Sequence, residues 1–112
     1  HFIPEAEQLA ERVAIIVNGG GITVSMGDAC VAAGLVVPEI DLETQANLRQ
    51  HLWPHASDPI NPIDTAGDWR PMTISLLADK VAALDYVDGL ILQPPWASLN
   101  RVIKSEKKRY KP

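Results

Sequence analysis

The sequence is poor in several things, and each shortage narrows what it can be. It has one cysteine, Cys30, so no disulfide can form within the chain. A reducing compartment, the cytoplasm, is therefore the expected location. No apolar run approaches the ~20 residues that cross a bilayer, and the first residues lack a basic segment followed by a long apolar one. No membrane partner is expected. Basic side chains are scarce too: the first hundred residues hold four against thirteen acidic ones. The other six (Arg101, Lys104, Lys107, Lys108, Arg109, Lys111) crowd into the last twelve positions, with Glu106 among them. That reads as the solvated face of a last helix. Aromatic residues make up 5% of the chain and form no nucleic-acid-binding pattern, so no nucleic-acid partner is expected.

What the chain does have is ordinary globular apolar content, 46% over 112 residues, enough for one domain with a real core. Its organising stretch is Arg12–Leu35, RVAIIVNGGGITVSMGDACVAAGL. Arg12 to Val17 is a continuous, β-branched apolar run, the pattern of a central parallel strand covered on both faces. Asn18-Gly19-Gly20-Gly21 stops it, and Ile22 to Ala33 resumes as a helix with Gly34 suited to its C-terminal cap. The first-turn N–H groups of such a helix lack internal partners and sit at the positive end of its dipole, which suits a phosphate or a carboxylate.

Along the rest of the chain, His1–Glu11 reads as a short helix entered at Pro4. Leu35–Glu39 reads as a second short strand, and Asp41 as the cap of a helix from Leu42 to about Leu52. Trp53–Arg70 holds three prolines and reads as a loop with Asn61-Pro62-Ile63-Asp64 extended inside it. From Pro71 to Leu84 the positions Ile74, Leu77, Val81 and Leu84 recur at three and four residues, one buried face of a helix. Val87–Gln93 is another apolar strand, stopped by Pro94-Pro95, and Trp96–Tyr110 reads as a last helix. Strands alternating with helices argue for an α/β fold with a mainly parallel sheet, whose ligands sit beyond the strands' carboxyl ends. Asn18–Gly21 and Gln93–Pro95 are two such ends, and the Asn61–Asp64 loop can join them.

The glycine turn is not a P-loop, because no Gly-Lys-Ser/Thr follows. Nor is it a dinucleotide fingerprint: Gly19 and Gly21 fit its first two glycines, but Val24 stands at the third. Gly27 falls inside the helix, where its use is close approach to a neighbour. His51 and His55 lie four apart, but Pro54 intervenes and no other His or Cys is near, so no metal is expected there. Asp64 and Asp68 are candidates for a base or a magnesium ligand. Cys30 among small apolar residues reads as core. Trp53, Trp69 and Trp96 flank loops, as core lids or covers for other domains.

The order RVAIIVNGGG, a helix with Asp28-Ala29-Cys30 and Ala33-Gly34-Leu35, then Asn61-Pro62-Ile63-Asp64 and, after a further helix, Val87–Leu92 resembles the ADP-forming acyl-CoA synthetases of the succinyl-CoA synthetase superfamily. The resembling part is their flavodoxin-like CoA-ligase domain, and it covers Arg12 to Pro95. The resemblance implies a three-layer flavodoxin-like fold spanning residues 1–112 and incomplete at its C-terminus, a piece of a longer protein. It implies an acid–thiol ligase reaction in the full-length protein, interconverting acyl-CoA, ADP and phosphate with acid, CoA and ATP through a phosphohistidine. CoA, ATP/ADP and Mg would belong to the whole enzyme, with no cofactor held by this piece, which alone would be inactive. The implied partners are the CoA-binding and phosphohistidine domains and an ATP-grasp domain or subunit, in an oligomer.

Carried over residue by residue, the helix after the glycine turn would aim its N-terminus at the phosphohistidine. The phosphate-binding residues would be Asn18, which shapes the turn, with Gly19, Gly20, Gly21, Ile22 and Thr23. Asn61, Asp64 and Gln93 would line the site, and no residue here is catalytic. Two departures stand out: Gly21-Ile22-Thr23 replaces a Gly-Pro-Gly or Pro-Gly of many relatives, and Gln93-Pro94-Pro95 replaces a glycine-rich loop. The alternative is a non-catalytic regulatory or interaction module derived from the same domain. A phosphorylatable receiver domain is disfavoured because the first strand lacks an acidic cluster.

Overall fold

The computed structural model describes residues 11–68 and 70–93, and the backbone of 101–104. In chain order these form β1 (Val13–Val17), α1 (Gly20–Ala32), α2 (Leu42–Arg49), β2 (Ile63–Asp64), α3 (Pro71–Ala82), β3 (Gly89–Leu92) and β4 (Arg101–Lys104). The sheet order is β2-β1-β3-β4. β1 pairs in parallel with β2 (Ile16 opposite Ile63) and with β3 (Ala14 opposite Leu90), and β4 runs antiparallel to β3. This is an α/β arrangement of the flavodoxin-like kind, in which the first strand lies between the next two.

β1 is buried along its whole length, which explains its unbroken apolar run. Alternate residues point to opposite faces. Ala14 and Ile16 join Leu48 of α2, Leu77 and Val81 of α3, and Ile40, Ile63, Val87 and Leu90 in the larger core. Val13, Ile15 and Val17 join Ile91 and Cys30 of α1 in a smaller one, with Met26, Leu35 and Val37 at its margin. Two helices thus cover one face and a single helix the other. Cys30 is buried, as its small apolar surroundings suggested, and burial raises its thiol pKa.

Most helix boundaries follow local chemistry. The Asp41 carboxylate accepts the Thr44 N–H at 2.9 Å and starts α2. Pro71 opens α3, where its missing N–H costs nothing. Gly34, at φ 90°, closes α1: its N–H donates to the Val31 carbonyl and that of Leu35 to the Cys30 carbonyl. Gly27 is where α1 comes close to the Asn61–Asp64 segment, since a Cβ there would lie 3.2 Å from Pro62 Cγ.

Three expectations are corrected. The last helix is replaced, over Arg101–Lys104, by β4, with Val102 opposite Ile91 and Ile103 opposite Leu90. Pairing with a buried strand decides those residues, whose own sequence carries little helical pattern. The rest of that stretch and the helix read at residues 1–10 lie outside the described residues. The strand at Leu35–Glu39 shrinks to one parallel bridge, Arg12 opposite Val36, and α1 begins at Gly20 rather than Ile22.

Candidate functional site

β1, β2 and β3 are mutually parallel, so their carboxyl ends share one edge, and the turns leaving them meet there. Leaving β1, Gly19 adopts φ 136°, open to glycine at little cost, and α1 starts at the next residue. Leaving β2, the chain turns through Ala66 (φ 57°) and Gly67 (φ 88°). The two turns are cross-braced. The Gly19 N–H donates to Asp64 Oδ1 at 2.9 Å, and the Gly67 N–H donates to Asn18 Oδ1 at 2.7 Å. Asp64 Oδ1 also takes the Ala66 N–H at 2.8 Å, and the Thr65 N–H reaches the Val17 carbonyl at 2.9 Å. Side chains of each turn therefore fix the backbone of the other.

At the start of α1 the Thr23 N–H donates to the Gly19 carbonyl at 3.0 Å and the Thr23 hydroxyl to the same oxygen at 2.6 Å. Both donors of Thr23 are used within the helix. Among the described residues the open donors are the N–H groups of Gly20, Gly21 and Ile22, which precede the first intrahelical bond and receive no side-chain cap. Gly20, Gly21 and Ile22 are all solvent-exposed, at the edge of the sheet. An anion placed over them would meet three preorganised dipoles and the positive end of α1.

The residues read as lining the site divide. Asp64 belongs to it through the Gly19 bond. Gln93, at the end of β3, donates its N–H to the Ile16 carbonyl at 3.1 Å, while its side-chain Oε1 is buried with no partner among the described residues. Asn61 does different work, lower along β1. Its Oδ1 accepts the Ile15 N–H at 3.0 Å, and its Nδ2 donates to the Val13 carbonyl at 3.0 Å and the Pro38 carbonyl at 2.8 Å. Those β1 groups lie between the Val36 bridge and β2, where no strand among the described residues reaches them. The carboxamide of Asn61 thus stands in for a peptide group and keeps the ladder continuous.

Asp68 is a structural carboxylate. It is fully buried and held by Arg70, whose Nε donates to Oδ1 at 2.8 Å and whose terminal nitrogen donates to Oδ2 at 2.6 Å. Those bonds keep its pKa below the ordinary carboxylate value despite burial. The Arg70 guanidinium lies 5.8 Å from the Trp53 ring centre, and His55 sits beside the same ring. A groove of about 430 Å³ opens there, lined by His51, Trp53, Arg70, Met72 and Leu76 among others. Among the described residues no three His, Cys, Asp or Glu side chains gather as a metal site, and no helix is long and apolar enough to cross a membrane.

Nothing in the residue order ties the second turn, Thr65–Asp68, to the glycine turn. Gly67 between Ala66 and Asp68 was its one local signal, and only the fold brings it beside Asn18.

Comparison with solved structures finds similarity to PH0766 from Pyrococcus horikoshii OT3, with a TM-score of 0.68 and 29% sequence identity. The alignment covers 81% of this chain and 21% of that one, so the chain spans about a fifth of the length of PH0766. No protein-family model matches the sequence, and no curated protein matches it.

Proposed function

We propose that this chain is the flavodoxin-like CoA-ligase domain of an NDP-forming acyl-CoA synthetase, and that the start of α1 holds a phosphoryl group in transit through a phosphohistidine carried by another domain. The observation that carries the reading is the row of open amides at Gly20, Gly21 and Ile22, fixed by the braced glycine turn at the carboxyl edge of the sheet. The order of motifs from Arg12 to Leu92 supports the same family. In this reading the domain's own contribution is electrostatic. Backbone N–H groups stabilise phosphate charge without side-chain chemistry and without reorganising as that charge moves. The histidine, CoA, nucleotide and Mg belong to the remainder of the protein.

The test is catalysis by the full-length protein: acid-dependent formation of a CoA thioester with ATP and release of ADP and phosphate. Activity with any of a wide panel of acids supports the reading, and its absence across the panel counts against it. A specific check is Gly21→Pro, which deletes one open amide while proline remains tolerated in a first helical turn. Loss of turnover with retained folding is the expected result.

A further inference from the structure

The groove between the end of α2 and the start of α3 lies on the opposite face of the sheet from α1, with a volume of about 430 Å³. That falls within the roughly 300–1,000 Å³ of small-molecule sites. Among the described residues no aspartate or glutamate lines it, although the chain carries a net charge of -4, whereas Arg70 and His51 do. Arg70 is held from two sides. Its Nε and Nη2 donate to the fully buried Asp68 carboxylate, and its guanidinium lies 5.8 Å from the Trp53 ring centre. The side chain nevertheless stays 60% exposed. Its other terminal nitrogen, Nη1, makes no hydrogen bond among the described residues.

A guanidinium carries five N–H donors in a planar fork. Asp68 takes the edge formed by Nε and Nη2, which leaves the edge formed by Nη1 and Nη2 for a second acceptor. That edge matches the two oxygens of a carboxylate. Asp68 offsets much of the Arg70 charge, so a single negative charge suits the place better than a dianion. The walls beside it are apolar: Trp53, Met72 and Leu76 line the groove, and Met72 is 71% exposed, a large apolar side chain left in water. We infer that this groove binds a small organic monocarboxylate with an apolar body, its carboxylate on the free edge of Arg70 and its body against Trp53, Met72 and Leu76. The inference is independent of the phosphate reading, because none of these residues belongs to the glycine turn.

The chain has two methionines, Met72 in the groove and Met26 on the α1 face, so methyl labelling supplies both a reporter and an internal control. The full chain, isotope-labelled at its methionine and leucine methyls, is titrated with hydrocinnamate, its neutral amide, acetate and inorganic phosphate. Hydrocinnamate should shift the Met72 and Leu76 methyls and leave Met26 unmoved. The amide should bind about tenfold more weakly, the share of a charge-assisted fork, and acetate and phosphate should bind more weakly than hydrocinnamate. Met72→Glu, at an exposed position that spares the core, sets a carboxylate beside the ligand's own. Read at Leu76, it should weaken hydrocinnamate about tenfold and the amide much less. Arg70→Lys keeps a cation for Asp68 but removes the fork, and should weaken hydrocinnamate to the level of the amide. No movement at Met72, or movement at Met26 alone, overturns the site. Equal binding of hydrocinnamate and its amide overturns the role of Arg70. Acetate or phosphate binding as tightly as hydrocinnamate overturns the ligand class. Unchanged hydrocinnamate binding in Met72→Glu places the ligand outside the groove and overturns the proposal even where Arg70→Lys fails to fold.

Discussion

The two faces of the sheet are built differently. On one, α2 and α3 close over a broad core in which Leu48, Leu77 and Val81 are fully buried. On the other, α1 lies alone, and of its thirteen residues only Cys30 is buried. Ile22, Val24 and Val31 are exposed, Val24 at 65% and Val31 at 61%. The first pair buries Leu48, Thr73, Leu77 and Val81, whereas α1 packs through Cys30, Met26 and the close approach at Gly27, with its start fixed by the braced turn at Gly19. The difference teaches what each face is for. The thick face supplies stability, and the thin face presents a helix whose start is fixed and open.

The sharpest way to break this contrast is to cut a buried side chain from each face and from the sheet between them. Leu77→Ala, in the thick core, should cost about 3 kcal/mol of unfolding free energy in denaturant titration. Asn61→Ala, which leaves the Ile15 N–H and the Val13 and Pro38 carbonyls without their partner, should cost about 2 kcal/mol and speed amide exchange at Ile15. Cys30→Ala, the corresponding cut in the thin core, should cost about 1 kcal/mol. Near equality of the Leu77 and Cys30 effects would overturn the contrast.

Acid sharpens it from another side. Hydrogen bonds from the Tyr86 hydroxyl and then from the Thr44 N–H and hydroxyl lower Asp41 from its ordinary 3.8 to about 2. Because its folded pKa is depressed, the stability it gives α2 is complete above about pH 4 and is lost as pH falls toward 2. Unfolding temperatures measured down that range should fall, and Asp41→Asn should flatten this part of the acid limb. Last, Val24→Thr and Val31→Thr on the outer side of α1 should change stability by less than about 0.5 kcal/mol, since both side chains already meet solvent.

Much of this was legible from residue order alone. The strand at Val13–Val17, the glycine turn, the Asp41 cap and the periodic face of α3 each carry their signal within a dozen neighbouring residues. β4 did not, because Arg101–Lys104 becomes a strand through register with Leu90 and Ile91 rather than through its own pattern. The site divided in the same way. The glycines and the helix after them were visible, but the bond from Gly19 to Asp64 spans 45 positions and that from Ile15 to Asn61 spans 46. Nothing near Asn61 in the sequence separates a ladder-completing carboxamide from a site-lining one.

That carboxamide has a chemical vulnerability that its neighbour removes. Asparagine ages to aspartate chiefly when the backbone nitrogen of the following residue attacks the side-chain carbonyl and closes a succinimide ring. An aspartate at position 61 would turn a carboxylate oxygen toward the Val13 and Pro38 carbonyls that now accept from Nδ2. The following residue is Pro62, whose nitrogen carries no hydrogen to lose and cannot close that ring. Asn61 is thus followed by the residue that shuts off its usual route, and the succinimide path to aspartate is closed at this seam in the sheet.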